Sequence, residues 1–184
     1  MSLSGLTVLP THRVTTTPLP PYATIKSQLN NTFEIKEFPF LRENTAVVRS
    51  QFLDALRTQG RTTTTFGLAL KDEARYVTLS LKPTHRPGAN ASPRTKLDVS
   101  LLQQLVVTPL VPTQQEQEAI LYTKDDHEAL DWAANGTGTG ALLLNATKVS
   151  EVQAVAKASE RMPHKSTYFY PKPLTGLVIH VMED

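Results

Sequence analysis

Residues 120–144 read ILYTKDDHEALDWAANGTGTGALLL, and this stretch decides the fold class. Ile120-Leu121-Tyr122 and Ala141-Leu142-Leu143-Leu144 are short apolar runs, the pattern of strands covered on both faces. Between them, Asp126 to Asn135 reads as a helix. Asp125 and Glu128 have the spacing of a capping box, and Gly136 suits the helix exit, where a left-handed residue is needed. The rhythm continues downstream. A helix is predicted from about Lys148 to Ala158, and Leu177-Val178-Ile179-His180-Val181 is a third apolar run. Strand, helix, strand, helix, strand implies crossover connections. The expectation is an α/β or mixed α+β domain. Its sheet is expected to be mixed, partly parallel and covered by helices, with the three runs as neighbouring strands.

Working outward, Asp98 is placed to cap a helix carrying Leu101, Leu102, Leu105 and Val106, which Pro109 stops. Pro83 to Lys96 holds Pro83, Pro87, Pro93 and Gly88 with few apolar residues, so residues 83–96 are expected to form a mobile surface loop. Phe66, Leu68 and Leu70 alternate with smaller residues, as do Val77, Leu79 and Leu81. That predicts an antiparallel hairpin with one solvated face. Asn44 or Thr45 can cap a helix carrying Val47, Val48, Phe52, Leu53 and Leu56, which Gly60 ends. Phe33-Glu34-Ile35 reads as a short strand, and Tyr22 to Leu29 as a helix that starts only after Pro18-Leu19-Pro20-Pro21. Leu6-Thr7-Val8-Leu9 reads as a buried strand at the start of the chain.

The chain has 184 residues, 40% apolar and 20% charged, which is the composition of one globular domain spanning residues 1–184. A chain of this length buries roughly 70% of its unfolded surface, enough for a core without staples. Nineteen basic and 17 acidic residues leave a net charge of +2, which gives no electrostatic argument for nucleic acid. Cysteine is absent, so disulfides, thiolate chemistry and Cys-ligated metal are excluded. No apolar run approaches the ~18 residues of a membrane span, and the N-terminus lacks the basic and apolar regions of a secretory signal. A cytoplasmic protein is expected.

Few motifs carry chemistry. Gly136-Thr137-Gly138-Thr139-Gly140 follows a helix and opens a strand, the reverse of a phosphate loop, so it reads as a helix exit and connection. No two of His12, His85, His127, His164 and His180 share metal-ligand spacing, and no metal site is read. His180 lies inside an apolar run and reads as a packed residue. Pro-Thr-His-Arg occurs at Pro10–Arg13 and again at Pro83–Arg86. The first copy closes a candidate strand. His12 there can serve acid–base work and Arg13 can bind an anion, against the alternative of a solvent-exposed turn. The most unusual stretch is Arg161 to Pro173. It holds Arg161, Lys165 and Lys172, the hydroxyls of Ser166 and Thr167, His164, and the aromatics Tyr168, Phe169 and Tyr170. No acid intervenes between Glu160 and Glu183. Such a set can hold an anion, with Arg161, Lys165, Ser166, Thr167 and Lys172 joined by His12 and Arg13. The alternative is a loop whose aromatics pack into the core.

Arg161 to Val178, Arg-Met-Pro-His-Lys-Ser-Thr-Tyr-Phe-Tyr-Pro-Lys-Pro-Leu-Thr-Gly-Leu-Val, resembles the closing motif of the domain of unknown function 1015 family of bacteria and archaea. Gly5–Arg13, Leu97–Leu102 and Ala141–Thr147 agree in order. His164 and Ala146 depart from the family's usual residues. The resemblance implies a C-terminal half. Family members look about twice this long, and their upstream half carries an Asp-Gly-His-His-Arg motif similar to that of the ParB-like fold and the free-serine kinases. That motif is not in this sequence. The resemblance therefore implies a C-terminal domain of a small-molecule phosphotransferase, or of a nucleotide- or phosphometabolite-binding protein, itself non-catalytic. Its expected partners are its own upstream half and a small anionic ligand, and no cofactor is identified. The alternative is a protein- or RNA-interaction module without chemistry.

Overall fold

A computed structural model describes residues 7–111 and 119–172. Eight strands are described: β1 Thr7–Leu9, β2 His12–Thr15, β3 Phe33–Pro39, β4 Thr65–Leu70, β5 Arg75–Leu81, β6 Ile120–Thr123, β7 Gly140–Leu144 and β8 Tyr168–Tyr170. The helices are α1 Tyr22–Leu29, α2 Thr45–Gln59, α3 Pro93–Lys96, α4 Asp98–Leu102, α5 Thr108–Leu110, α6 Asp126–Asn135 and α7 Val149–Lys157. A π-helical segment, Gln103–Val107, joins α4 to α5. β1 and β8 form a two-stranded ribbon, and the other strands form a six-stranded sheet in the order β3-β5-β4-β7-β2-β6.

The architecture is mixed α+β. The expectation of a partly parallel sheet is corrected, because every described neighbouring pair is antiparallel. The physical reason is β2. As the crossover through α6 requires, β6 and β7 run in the same direction, but β2 lies between them and pairs antiparallel with both. Ile120–Tyr122 and Ala141–Leu144 thus share a sheet without touching as neighbours. Leu177–Val181, with His180, lies outside the described residues.

Helices cover both faces of the sheet. On one face Phe66, Leu68, Leu142 and Leu144 pack with α1, α4, the π segment and Val155 of α7. On the other, Val14, Ala69, Ala141 and Leu143 pack with Phe52, Leu53 and Leu56 of α2 and Ala129, Leu130 and Ala133 of α6. Alternation along β4 and β7 sends successive side chains to opposite cores. The hairpin β4–β5 is therefore covered on both faces, and no solvated face remains on its central residues. β1 is a strand but an exposed to half-buried one, because it pairs with β8 in the ribbon and not inside the sheet.

Several local expectations hold. Asp125 caps α6, its Oδ1 accepting the Glu128 N–H at 3.0 Å, and Gly136 ends that helix at φ +86°. Others differ. The Asn44 Oδ1 accepts from the Leu41 N–H at 2.7 Å and so serves the preceding turn instead of α2. Asp98 is the first residue of α4, and its Oδ1 accepts from the Thr64 hydroxyl at 2.7 Å. Pro109 does not stop its helix but sits inside α5. A proline ring clashes with the carbonyl four residues back, here Leu105, and Leu105 lies in the widened π turn. The 83–96 segment runs over the surface, yet its end is built: Ser92 caps the single turn of α3, with Pro93 at its first position.

Gly67 of β4 marks how closely α2 approaches the sheet. A Cβ there would lie 2.7 Å from Cζ of Phe52 and 3.1 Å from Cβ of Leu143. Phe52 cannot yield freely, being fully buried between Phe38 and Tyr76, with ring centroids 5.8 and 5.1 Å away. Gly67→Ala is expected to lower stability by about 1–3 kcal/mol through overpacking. Urea denaturation would show it, and Phe52→Leu in the same chain should recover part of that loss.

Candidate functional site

β2 is buried along its whole length, so the alternative of a solvent-exposed turn at His12 and Arg13 is corrected, and the two residues lie inside a strand of their own. Alternation along a strand then separates its first two residues. Arg13 lies across from Tyr122 and Leu142, on the α4 face, whereas His12 lies across from Thr123, on the α6 face.

On the α4 face a cleft of about 630 Å³ opens beside Arg13. Arg13 is only 3% exposed, and its Nη1 donates to the Gln103 Oε1 at 2.9 Å. A buried charge is tolerable only where hydrogen-bonding partners replace water. Gln103 opens the π segment, so that irregular turn supplies the acceptor for Arg13. Arg94 of α3 reaches the same cleft. Its backbone is held at both ends, the N–H donating to the Glu160 Oε2 at 3.0 Å and the C=O accepting from the Ser100 hydroxyl at 2.7 Å. The Arg94 guanidinium forms no ion pair among the described residues. Ser92 and Thr95 add hydroxyls, and Pro163 and His164 close the cleft from the basic loop. Tyr122 forms part of the wall, with the Lys165 Nζ 5.9 Å from its ring centroid. Two guanidiniums, one carboxylate and several neutral donors around one cleft favour an anion that can accept forked hydrogen bonds.

Of the residues singled out from sequence, Arg13 and His164 meet in this cleft, and Lys165 stands at its border through Tyr122. Arg161, Ser166, Thr167, Lys172 and His12 do not line it. Arg161 is exposed. Ser166 is buried, its carbonyl accepting from the Thr147 hydroxyl at 3.0 Å. The Lys172 Nζ sits 4.7 Å from the Tyr168 centroid, and Lys124 lies 5.0 and 5.1 Å from Tyr168 and Tyr170. The loop's aromatics are not core residues: Phe169 and Tyr170 are 38% and 52% exposed, and Tyr168 is half-buried. Sequence reasoning missed Arg94, Ser92, Thr95, Gln103 and Tyr122. Ser92-Pro93 was the available signal, since a serine cap followed by proline is a helix start.

His12 opens to a different cavity, of about 370 Å³, beside Arg57, Lys124, Asp125, Asp126 and Asn145. Its Nδ1 accepts the Leu144 N–H at 3.4 Å. Burial pushes the imidazole down from 6.5 to about 4, against the opposing pull of Asp126 and Asp125, with Arg57 adding to the fall. His12 is thus neutral near pH 7. Among the described residues no group of three or more His, Asp or Glu is placed to hold a metal ion, and no helix is long and apolar enough to cross a membrane.

No family model and no curated protein matches the sequence. Solved structures are similar in fold. A mutant of free serine kinase in complex with AMP is similar to this chain at a TM-score of 0.50 and 14% identity. The same kinase with ADP gives 0.49 and 14%, and the unmutated kinase with AMP gives 0.47 and 15%. In each case 91% of this chain is covered, and it spans about half, 55%, of the kinase chain. At this identity the likeness is one of fold.

The depressed pKa of His12 has a defined sign. The unfolded chain binds a proton at this residue near pH 6.5 and the folded chain only near 4. Stability contributed by neutral His12 is therefore full above about pH 6.5 and falls as the pH drops toward 4, by about 3 kcal/mol in all. Melting curves between pH 7 and 4.5 should show this loss, and His12→Gln should flatten the profile over that window.

Proposed function

We propose that this chain is the phosphate-binding domain of a small-molecule phosphotransferase or nucleotide-binding protein, taking the phosphate-bearing part of its ligand in the cleft between Arg13 and Arg94. One observation carries the reading: β2, α3, the π segment and the basic loop all deliver polar groups to a single cleft. The fold likeness to a mutant kinase solved with AMP supports it. So does the resemblance of Arg161 to Val178 to the domain of unknown function 1015 family. That resemblance also supports reading the chain as a C-terminal half that works beside its own upstream half. In this reading the domain binds and orients, and a proton-transferring group comes from elsewhere in the protein. Arg13, fixed by Gln103, presents a pre-set guanidinium, while Arg94 closes from the rim. The exposed Phe169 and Tyr170 favour a second reading, an interaction module in which the ribbon meets a partner.

The two readings part in a titration. Calorimetry with AMP, ADP and inorganic phosphate should find saturable binding and no turnover by this chain alone. A charged hydrogen bond is worth about 1.5–3 kcal/mol, so Arg94→Ala should weaken binding about tenfold or more. Its apo melting temperature should barely move, because the guanidinium is exposed. An absence of binding by all three ligands, or an affinity indifferent to Arg94, would falsify the cleft assignment.

A further inference from the structure

We propose a second, separate anion site where the α2–β4 connection, the 83–96 segment and the start of α7 meet, fitted to a small inorganic phosphate or diphosphate. A cavity of about 270 Å³ opens there, and it shares no lining residue with the Arg13–Arg94 cleft. Arg61, Arg86, Lys96 and Lys148 all line it. Among the described residues none of these four takes part in an ion pair. Like charges gathered around one small cavity repel, and an anion between them removes that repulsion.

Two acids, Asp98 and Glu151, face these four cations, so a positive excess remains even though Lys148 acts electrostatically on Asp98. The Asp98 Oδ1 already accepts from the Thr64 hydroxyl at 2.7 Å, and the Glu151 Oε2 accepts from the Lys148 backbone N–H at 2.7 Å. Burial also pushes the Asp98 carboxyl above its usual value, which disfavours its charged form. Two of the cations are held in place. The Arg86 Nη2 donates to the Thr63 hydroxyl at 2.8 Å, and the Lys96 Nζ donates to the Ala89 carbonyl. An ammonium has three protons and a guanidinium five, so both keep donors for a ligand. Arg61 follows Gly60, where a Cβ would meet the Asn145 Nδ2 at 2.0 Å. The turn after α2 is therefore tight against Asn145, and the Thr62 and Thr63 N–H groups bond back to the Gln59 carbonyl at 3.1 and 3.0 Å. The volume favours a small anion: it falls just below the ~300 Å³ at which sites for larger organic ligands begin.

Backbone 1H–15N shifts during titration with orthophosphate and pyrophosphate test the proposal, because they report the two anion sites separately. Saturable shifts are expected at the amides of Thr62 to Thr64 and Lys148. Arg61→Ala and Lys148→Ala should each weaken that response about tenfold or more, while Arg94→Ala leaves it unchanged. Both variants remove exposed side chains, and an unchanged melting curve would confirm that the fold is kept. Failure to saturate at these amides, or affinities indifferent to Arg61 and Lys148, would overturn the proposal. So would shifts confined to Ser92–Thr95, since the anion would then belong to the other cleft.

Discussion

A four-residue strand with three polar side chains, buried inside a sheet one place from its edge, constrains everything around it. β2 uses both of its edges, hydrogen bonding to β6 on one side and β7 on the other. Its side chains His12, Arg13 and Thr15 are each at most 3% exposed. A buried polar group left without a partner costs about 1–3 kcal/mol, more when charged. The surrounding elements are built to supply those partners. The Thr15 hydroxyl meets the Thr139 hydroxyl at 3.0 Å, Arg13 meets Gln103, and His12 takes the Leu144 N–H. The start of β7, the π segment and the end of β7 are thereby tied to one strand. Alternation along that strand assigns a cation to one face of the sheet and a neutral imidazole to the other.

The π segment is where this constraint becomes a site. An undistorted helix through Gln103–Val107 would set Pro109 against the Leu105 carbonyl, and widening the turn removes that conflict. The same widening lies where Gln103 meets Arg13. Fold and site thus use one irregularity for two purposes, the usual circumstance of π turns at functional positions. The guanidinium of Arg13 is held before any ligand arrives, which spares a ligand part of the ordering entropy of binding.

What the sequence revealed was local. Asp125, Glu128 and Gly136 mark the bounds of α6, and Val48, Phe52, Leu53 and Leu56 mark the buried stripe of α2, because caps and helical periodicity act over a few residues. The placement of β2 was not legible. Arg13 pairs with Leu142 across more than half the chain, and nothing near Pro10 announces that partner. The tetrapeptide around it has the composition of a turn, and tertiary burial overrode that composition. The candidate site was legible in part for a related reason. Clustering of cations along 161–172 suggested convergence, but the segment turns at His164 and Lys165, where Lys165 has φ 53°, and its side chains leave in different directions. Lys172 turns to Tyr168, Lys165 to Tyr122, and Arg161 to solvent. Convergence comes instead from segments distant in sequence, Arg13 with Arg94.

The short helix α3 shows how little structure is needed to divide charge between two places. Its Arg94 and Lys96 are two residues apart, and at 100° per residue their side chains leave the helix about 200° apart. One therefore enters the large cleft and the other enters the basin beside Arg61 and Lys148. A single turn has almost no intrinsic stability, so its position depends on its ties. Ser92 caps it, Ser100 binds its Arg94 carbonyl, and Glu160 binds its Arg94 N–H. Glu160 follows α7, whose N-terminal flank carries Lys148 of the basin. The turn that aims both cations is thus braced by the connection after α7, and α7 with its flanks borders both cavities, through Glu160 on one and Lys148 and Glu151 on the other.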